Sequence, residues 1–521
     1  MPPTSIRPST LPILRRCLVA LLVLAQLLLP PLASAQLPGM SGGDEMTAAS
    51  ERQLGDSIAR ELYRDNSYID DPVLMEYVDD IWQKLLAAAR TRGELTPELD
   101  ERFAWQIALM RDREINAFAL PGGYMGINLG LIAVVGSRDE LATVMGHELS
   151  HITQRHISRM LARQSRQAPL MLAAMILGAI AAAKSKSGDA GQALIVGTQA
   201  YAMNSQLSFS RDMEREADRV GFGVMTQAGY APQGAATMFE KLQYASRLTD
   251  NGSYPYLRSH PLTSERIADM QSRFQLSHGQ AEVLPLKMDH AMISARARVM
   301  ARAAVDQLRS WTEAVNSSEF NQASPAAQAG MLYAAAMSRM QLRDVAQARA
   351  LAAKLLQLTA SNEPAARLAR LLSAQIELSA GAPMRAVPFI DASANKRPEL
   401  FLRAQVAVAM RQGAKGSAPL EQSLRDWVAT HPRDAGAWRM LSQLYESGND
   451  TLRAVRSDAE ANAAHFDYAA ARDRFKAAQD LVRNLKPGDV DYYEASIVDT
   501  RAREIDALWR QQVREERDQP R

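Results

Sequence analysis

The sequence has almost no cysteine. The only one among its 521 residues is Cys17, which lies in an apolar run near the N-terminus. If that run is removed after export, the remaining chain can form no disulfide and can offer no thiol to a metal or a substrate. Metal binding would then depend on histidine, aspartate and glutamate side chains.

The sequence also lacks a strong charge of either sign. It has 60 basic and 58 acidic residues, 6% aromatic residues, and no basic stretch interleaved with aromatics. These features argue against a nucleic-acid partner. The composition, with 47% hydrophobic and 23% charged residues, is that of a globular protein. A chain of this length is too long for one core, so two or three units are expected.

The N-terminus has the pattern of a secretory signal. Positive charge at Arg7, Arg15 and Arg16 precedes the apolar run 17–29, and the small residues Ala-Ser-Ala occupy 33–35. This pattern predicts a signal peptide over 1–35 that is removed before Gln36. A membrane anchor is the alternative, but the run is short for a membrane span. Removal leaves 60 − 3 = 57 basic and 58 acidic residues.

The most informative motif is H-E-x-x-H at 147–151, in a segment with helical character that starts near Ser137. Residues four apart share a helix face, so His147 and His151 can reach one zinc ion, and Glu148 can hold a water on it.

A catalytic zinc ion usually takes three protein ligands, so a third must come from elsewhere. Gln154 and Ile157 occupy the positions where metzincins have glycine and histidine, which excludes that class. His156 lies five residues after His151, off the ligand face, and is predicted to be a surface residue. In a later helical segment that ends at Gly229, Glu214 can complete a His-His-Glu triad.

In the same segment, Asp218 can accept the outer N–H of a ligand histidine. The alternative for Glu214 and Asp218 is a solvated charge run, since Arg211, Asp212, Arg215 and Arg219 are interspersed with them.

Other segments indicate the surroundings of this site. The stretch 103–110 has strand character, and 123–128 is predicted to be an edge strand to which an extended peptide adds. Gly122 and Gly123, where this strand begins, would allow close backbone approach. The apolar segment 169–183 is either a membrane contact or, as its length favours, a buried helix or hairpin over the site.

After about Met288 the chain becomes rich in Ala, Leu and Arg, with paired helix-length segments. This pattern favours a tetratricopeptide-like array over a generic helical bundle. The residues that fit the repeat spacing are Trp438, Leu441 and Tyr445 in one helix and Ala471, Phe475 and Ala478 in another. The charged tail at 499–521 is predicted to be a lone or frayed helix.

The segments LATVMGHELSH and FSRDMEREADRVG resemble the secreted, zinc-dependent relatives of the CAAX prenyl protease and HtpX, which are gluzincins. NAFALPGGYMGIN and LRSHPLTSERI match the same family in the same order, over roughly residues 45–275. The resemblance implies that His147, His151 and Glu214 bind one zinc ion, that Glu148 is the general base, and that Asp218 supports a ligand.

The resemblance also implies catalytic roles for His260 and Arg266, which match a family histidine and arginine beside the active site: His260 is expected to contact the zinc ion or the transition state, and either residue can stabilise the oxyanion. Without it, they would be a loop histidine and a helix-surface arginine. One departure is Gly146, where the family often has alanine, and glycine lowers helix propensity.

The resemblance implies a mostly α-helical fold. We expect a gluzincin-type α+β metallopeptidase domain with a small sheet at 36–287, a tetratricopeptide-like helical domain at 288–498 and the tail. With the signal, the chain is similar to periplasmic metalloproteases of the BepA type, implicated in quality control of outer-membrane assembly. The segment 169–183 or the His260 loop is expected to cover the cleft.

The implied function is a zinc endopeptidase that cleaves misfolded or stalled outer-membrane proteins in the periplasm, with a chaperone role for the repeats. Implied partners are unfolded or misassembled envelope proteins, the outer-membrane assembly machinery and, peripherally, the membrane. Two alternatives stay open: a non-enzymatic chaperone or scaffold with a silent or structural zinc site, and a membrane-embedded protease.

Overall fold

The region around the H-E-x-x-H motif is a small sheet with helices packed on it. The computed structural model describes residues 46–162, 209–247, 256–278, 285–301 and 303–518. The predicted signal and the apolar segment 169–183 therefore lie outside the described residues. None of the described helices has the length and apolar character needed to cross a membrane.

The first elements build the sheet and its flanking helices. They are α1 (Ala48–Arg64), β1 (Tyr68–Ile69), α2 (Pro72–Thr91), α3 (Pro97–Arg102), β2 (Gln106–Met110), β3 (Ala117–Leu120), a 3-10 turn (Pro121–Gly123), β4 (Tyr124–Asn128) and α4 (Leu129–Val134). Asp71 caps the start of α2 by accepting a hydrogen bond from the Leu74 N–H at 2.9 Å. Proline at the first position of α2 needs no such partner.

The strand order is β1-β2-β4-β3, with β2 and β4 parallel and the two outer pairs antiparallel. The prediction that 123–128 forms an edge strand is therefore wrong, because β4 is bonded on both sides. The chain passes from β2 to the edge, forms β3, and then turns back to fill the gap with β4. The edge strand beside the motif is β3.

The glycines of the turn before β4 are needed by the fold itself. Gly122 and Gly123 have φ of 71° and 88°, in the region that glycine tolerates best. A Cβ on Gly122 would lie 2.7 Å from the Cα of Arg52 in α1. In place of the predicted approach to a substrate, Gly122 packs closely against α1, and Gly123 packs against Phe103 and the backbone that follows it.

The next helices carry the candidate site. They are α5 (Arg138–Thr153), α6 (His156–Ala162), α7 (Arg211–Gln227), α8 (Gln233–Arg247), α9 (Tyr256–Ser259) and α10 (Ser264–His278). Ser137 and Ser210 accept hydrogen bonds from Glu140 N–H and Met213 N–H, and so cap α5 and α7.

The rest of the described chain is helical. Its helices are α11 (Met288–Met300), α12 (Val305–Ala314), α13 (Ser318–Gln322), α14 (Pro325–Gln341), α15 (Val345–Thr359), α16 (Glu363–Ser379), α17 (Pro383–Ala386), α18 (Arg397–Ala409), α19 (Gly413–Gly416), α20 (Ala418–Thr430), α21 (Ala435–Ser447), α22 (Thr451–Ala464), α23 (Tyr468–Asn484) and α24 (Tyr492–Asp518). Consecutive long helices pack on one another, as α21 does on α22 and α22 on α23. The predicted architecture, a mostly helical domain with a small sheet followed by an all-helical region, is confirmed.

Residues that fit the predicted repeat spacing are buried between packed helices. Leu441, Tyr445, Ala471, Phe475 and Ala478 are all buried. The repeat type itself stays a prediction, as do the predicted domain boundaries.

The C-terminal tail differs from its prediction. Helix α24 begins at Tyr492, passes residue 499 without a break and packs on α23. Ile505 is buried in that contact, so the helix is not a lone one.

The helical region shares a core with the peptidase region, and the described residues from Met46 onward form one compact unit. Arg296 of α11 is buried and forms a two-pronged ion pair with Asp71 at the start of α2, at 2.8 and 2.6 Å. The remaining nitrogen of Arg296 donates to Tyr333 Oη and to Gln375 Oε1, each at 2.9 Å. Since buried ions need such partners, this pair fixes α11 against α2.

Two further arginines of the helical region bind the same end of α2. Arg367 reaches Glu76 at 2.7 Å, and Arg397 reaches Asp70 at 2.8 Å. Both arginines also pair with an acid of the helical region, Glu399 or Asp434. The end of α2 is therefore anchored to three separate helices.

Candidate metal centre

Helix α5 is buried from Glu140 to Thr153, because it packs against β3, α2, α7 and α8. His147, Glu148 and His151 are therefore inside the protein, where polar atoms need partners.

Helix α7 crosses α5 where both have glycine. A Cβ on Gly221 would lie 2.9 Å from the backbone of Gly146, and a Cβ on Gly146 would lie 3.2 Å from the Gly221 carbonyl oxygen. The departure from alanine at 146 therefore has a structural reason, since the two backbones approach closely. This crossing places Glu214 of α7 over the histidines of α5.

Four buried side chains place ligand atoms within 4.8 Å of one another: those of His147, His151, Glu214 and His260. The two Nε2 atoms of His147 and His151 are 3.0 Å apart. Glu214 Oε2 lies 3.5 Å from His147 Nε2, and Glu214 Oε1 lies 3.6 Å from His151 Nε2. Glu214 and Asp218 are both buried, so the alternative of a solvated charge run is wrong for them.

These separations fit a zinc ion. Two ligands of a tetrahedral zinc ion at about 2.1 Å are about 3.4 Å from each other. The donor set of imidazole nitrogens and a carboxylate is also one that zinc accepts. The structure thus brings together the three side chains that the sequence nominated from distant segments.

Asp218 and Arg266 support this cluster from behind. Asp218 Oδ1 lies 3.0 Å from His147 Nδ1, the ring nitrogen that faces away from the cluster. Arg266 donates to both oxygens of Asp218, at 2.6 and 2.8 Å, and its Nη1 lies 2.8 Å from Glu214 Oε2. Arg266 is buried, so the reading of it as a helix-surface arginine is wrong.

The charges around His147 have opposing effects on its pKa. Burial alone would lower the pKa of His147, but hydrogen bonds to Asp218 and Glu214 raise it to about 10. Burial would raise the pKa of Asp218, and the hydrogen bonds from Arg266 and His147 lower it below its usual range. A bound metal cation would take the place of the imidazole proton in this negative environment.

Glu148 is bonded at one oxygen only. Its Oε2 accepts a hydrogen bond from the Ala119 N–H of β3 at 2.9 Å. Its Oε1 has no hydrogen bond from the described residues, although His260 Nε2 lies 3.4 Å away. Burial raises the pKa of Glu148 above its ordinary value. A buried carboxylate with one free oxygen is typical of a site that handles a proton.

His260 follows α9 and is buried, so the reading of it as an ordinary loop histidine is wrong. Its Nδ1 lies 3.0 Å from Glu214 Oε1 and 3.3 Å from His147 Nε2. The loop that carries His260 therefore covers the ligand cluster between Glu214 and Glu148.

A small cavity of about 20 Å³ adjoins His147 on the side of α8 and α10. Its lining is mostly apolar and includes Val144, Phe222, Met238, Phe239, Leu242, Tyr256, Leu262 and Met270.

The prediction that His156 is a surface residue is wrong. His156 is fully buried, and its Nδ1 lies 2.9 Å from His151 Nδ1. The reason is a helix break: α5 ends at Thr153, and Arg155 has a positive φ of 53°. Counting along one continuous helix places His156 off the ligand face, whereas the break turns its ring back toward His151.

An H-E-x-x-H helix, completed by a glutamate from a second helix beside it, defines a gluzincin-type metalloprotease. Residues 76–274 match the model of Peptidase family M48. The chain is 30% identical over 439 residues to the beta-barrel assembly-enhancing protease of Escherichia coli (strain K12), over 83% of this chain and 84% of that protein. The chain therefore belongs to peptidase family M48, whose members are zinc-dependent metalloproteases.

Other relatives agree with this assignment. A putative beta-barrel assembly-enhancing protease of Vibrio cholerae is 35% identical over 275 residues, and the match spans about half of each chain, 51% in both. The mitochondrial metalloendopeptidase OMA1 of Saccharomyces cerevisiae is 27% identical over 37% of this chain and 54% of its own. The expected family, metalloprotease activity and zinc cofactor are thereby confirmed.

Proposed function

We propose that His147, His151 and Glu214 hold one zinc ion and that Glu148 is the general base of peptide hydrolysis. The observation that carries this proposal is that Glu148 Oε1, in a pocket that also contains the ligand cluster, accepts no hydrogen bond from any residue that the structure describes. A structural metal site has no use for such a carboxylate. The names of the relatives, which are proteases, support the catalytic alternative over the non-enzymatic one.

Different residues of the chain have different roles in the proposed hydrolysis. When bound, zinc lowers the pKa of a water molecule and polarises a carbonyl group. Glu148 holds the attacking water through Oε1, takes its proton and delivers it to the leaving amine. The Ala119 N–H keeps Glu148 oriented, and Asp218 orients His147. Because Arg266 is fully engaged with carboxylates and the Pro261 carbonyl, we assign it a positioning role.

His260 has to move for this chemistry. It lies between Glu148 and Glu214, where water and the scissile carbonyl must enter. Displacement of its loop by a peptide would open the site. The imidazole of His260 would then be near enough to donate to the oxyanion.

The edge of β3 offers the place for an extended peptide. Its Ala119 N–H bonds Glu148 rather than β4, so this edge of the sheet faces the pocket. A peptide that adds to β3 would bind mainly through its backbone. This mode predicts broad specificity for unfolded or extended segments.

The biological role follows from the relatives and the N-terminal pattern. Because relatives are named for assembly of β-barrels, we propose that this chain acts in the periplasm on misfolded or stalled outer-membrane proteins. Export by the segment 1–35 would place it there. The helical region, as a tetratricopeptide-like array, would bind clients or the assembly machinery and supply the chaperone role.

Replacement of Glu148 by glutamine tests the proposal. Because the amide cannot take the proton, cleavage of an unfolded outer-membrane protein should fall by about 100-fold or more, while zinc content measured by mass spectrometry stays at one per chain. The control is Glu140→Gln on the same helix, where the carboxylate only pairs with Lys241 and a backbone N–H. Unchanged cleavage by Glu148→Gln would contradict the proposal, and full rescue of cells by that variant would favour the chaperone alternative.

A further inference from the structure

His156 is buried, yet the proposed mechanism gives it no role. Its Nδ1 lies 2.9 Å from His151 Nδ1, and its Nε2 lies 3.0 Å from Glu216 Oε2. Arg159 donates to the same Glu216 oxygen at 2.8 Å. These contacts form a chain from His151 inside the protein to Glu216, which is partly exposed.

The protons in this chain can be assigned from His151 outward. His151 directs Nε2 at the cluster, 3.0 Å from His147 Nε2 and 3.6 Å from Glu214 Oε1. A ligand nitrogen must be unprotonated, so the proton of His151 is on Nδ1. That N–H donates to Nδ1 of His156, whose own proton must then be on Nε2. There it donates to the Glu216 carboxylate, an acceptor that has no proton of its own.

We propose that His156 is a positioning residue that fixes the ring and the tautomer of His151 through this hydrogen bond. The inference rests on the proposed role of His151 as a metal ligand. Glu216, held by Arg159, in turn fixes the tautomer of His156. Outer partners of this kind orient ligand histidines and raise their basicity.

The two ligand histidines thereby receive different support. His147 has a carboxylate, Asp218, on its outer nitrogen, whereas His151 has a neutral imidazole, with the carboxylate of Glu216 one ring further out. A second carboxylate in direct contact would add negative charge to a buried site that already contains Glu214 and Glu148. The neutral His156 supplies the acceptor without that charge.

The backbone is built to place His156 there. Arg155, in the left-handed region, ends α5 and starts α6 in a new direction. Its side chain is tied down, since Nε donates to Glu51 Oε2 at 2.9 Å and Nη2 to Ser158 Oγ at 3.2 Å. The left-handed backbone conformation of Arg155 is energetically unfavourable, and the hydrogen bonds of its side chain offset that cost.

The test measures zinc affinity by chelator competition on the full-length protein. His156→Phe fills the space without an acceptor, so zinc should bind about 10- to 100-fold more weakly, and the absorption spectrum of the cobalt-substituted protein should shift. His156→Gln, whose amide can accept from His151 and donate to Glu216, should restore most of the affinity. The matched control is His290→Phe, a buried histidine that bonds Tyr77 and the Val135 carbonyl instead. It should leave zinc affinity unchanged.

A second pair of variants decides the matter if His156→Phe does not fold. Glu216→Leu removes the acceptor of His156 from a partly exposed position and should weaken zinc binding several-fold, whereas Glu216→Gln keeps an acceptor and should resemble the parent. Zinc affinity within twofold of the parent for both His156→Phe and Glu216→Leu would overturn the proposal. His151→Ala separates the two claims: if it binds zinc as the parent does, the proposed ligand set itself fails.

Discussion

Two buried carboxylates in this protein have opposite surroundings. At the contact between α2 and the helical region, both oxygens of Asp71 accept hydrogen bonds from Arg296. In the candidate metal pocket, one oxygen of Glu148 is hydrogen-bonded and the other has no hydrogen bond from the part of the chain that the structure describes. Complete pairing makes the first carboxylate a structural element, and incomplete pairing leaves the second available for chemistry.

The pKa shifts of the two groups show the same contrast. Burial acts to raise the pKa of both carboxyl groups. At Glu148 burial prevails and the pKa is raised, whereas at Asp71 the charge and hydrogen bonds of Arg296 reverse the effect and the pKa is lowered. A buried acid is therefore informative only together with its partners.

The largest expected difference in the free energy of unfolding comes from replacing each of the two carboxylates by the corresponding amide. Asp71→Asn keeps a side chain that can cap α2 but leaves Arg296 without its anion, so it should lower the free energy of unfolding by about 3–5 kcal/mol. Glu148→Gln removes a carboxylate that has no cationic partner of this kind, so stability should be unchanged or slightly higher. Chemical denaturation of both variants with zinc present measures the difference.

If Asp71→Asn and Glu148→Gln lowered the free energy of unfolding equally, the proposed contrast between the two carboxylates would be contradicted. The double variant Asp71→Asn with Arg296→Met sharpens it. Because both charges are then gone, it should be more stable than the sum of the two single changes predicts.

A smaller effect is expected at the crossing of α5 and α7. Gly221→Ala places a methyl group against the Gly146 backbone, so it should cost about 1–3 kcal/mol and weaken zinc binding by moving Glu214 away from the histidines. Gly146→Ala meets only the Gly221 carbonyl oxygen at 3.2 Å and gains helix propensity, so its cost should be smaller. Thermal unfolding and chelator competition on both variants provide the measurement, and a reversed order would contradict the packing argument.

The smallest expected effect is the change in the stabilisation by Asp71 at low pH. The pKa of Asp71 is lowered below its ordinary value of 3.8, so the stabilisation by its charge is present above that pH and is lost as the pH falls through the folded value. The difference in unfolding free energy between the parent and Asp71→Asn should therefore stay constant from neutral pH to about pH 4–5 and shrink below it. A difference that widens in acid would show that the sign is wrong. Loss of metal affects both proteins and cancels in the comparison.

The sequence alone nominated much of the candidate metal centre. The i and i+4 spacing of His147 and His151 is local, and one helix converts it directly into geometry. Glu214 also has a spacing signal, but its assignment needed the chemical demand for a third ligand and the family resemblance. His260 and Arg266 depended on the resemblance alone.

The remaining features depended on long-range packing. His156 was missed because a single left-handed residue, Arg155, breaks the helix that the periodicity extends. The edge strand was misassigned because strand order in the sheet does not follow chain order. The pair of Asp71 with Arg296 joins residues 225 positions apart, and no local pattern marks it. Other chains with the pattern H-E-x-x-H-x-x-x-x-H could be checked for the same feature, a residue with positive φ that breaks the helix between the last two histidines.

The three arginine anchors on α2 limit how this protein can be recombined. The peptidase half contributes Asp70, Asp71 and Glu76, and the helical half contributes the guanidinium groups that neutralise them. A chimaera that grafts these helices onto the peptidase of another family member would bury Arg296 without Asp71 unless an acid stood at the equivalent position, whereas Arg367 and Arg397 would keep Glu399 and Asp434. The acids at the start of α2 and the arginines of the helical half therefore form one matched set, and a functional recombinant would have to receive both.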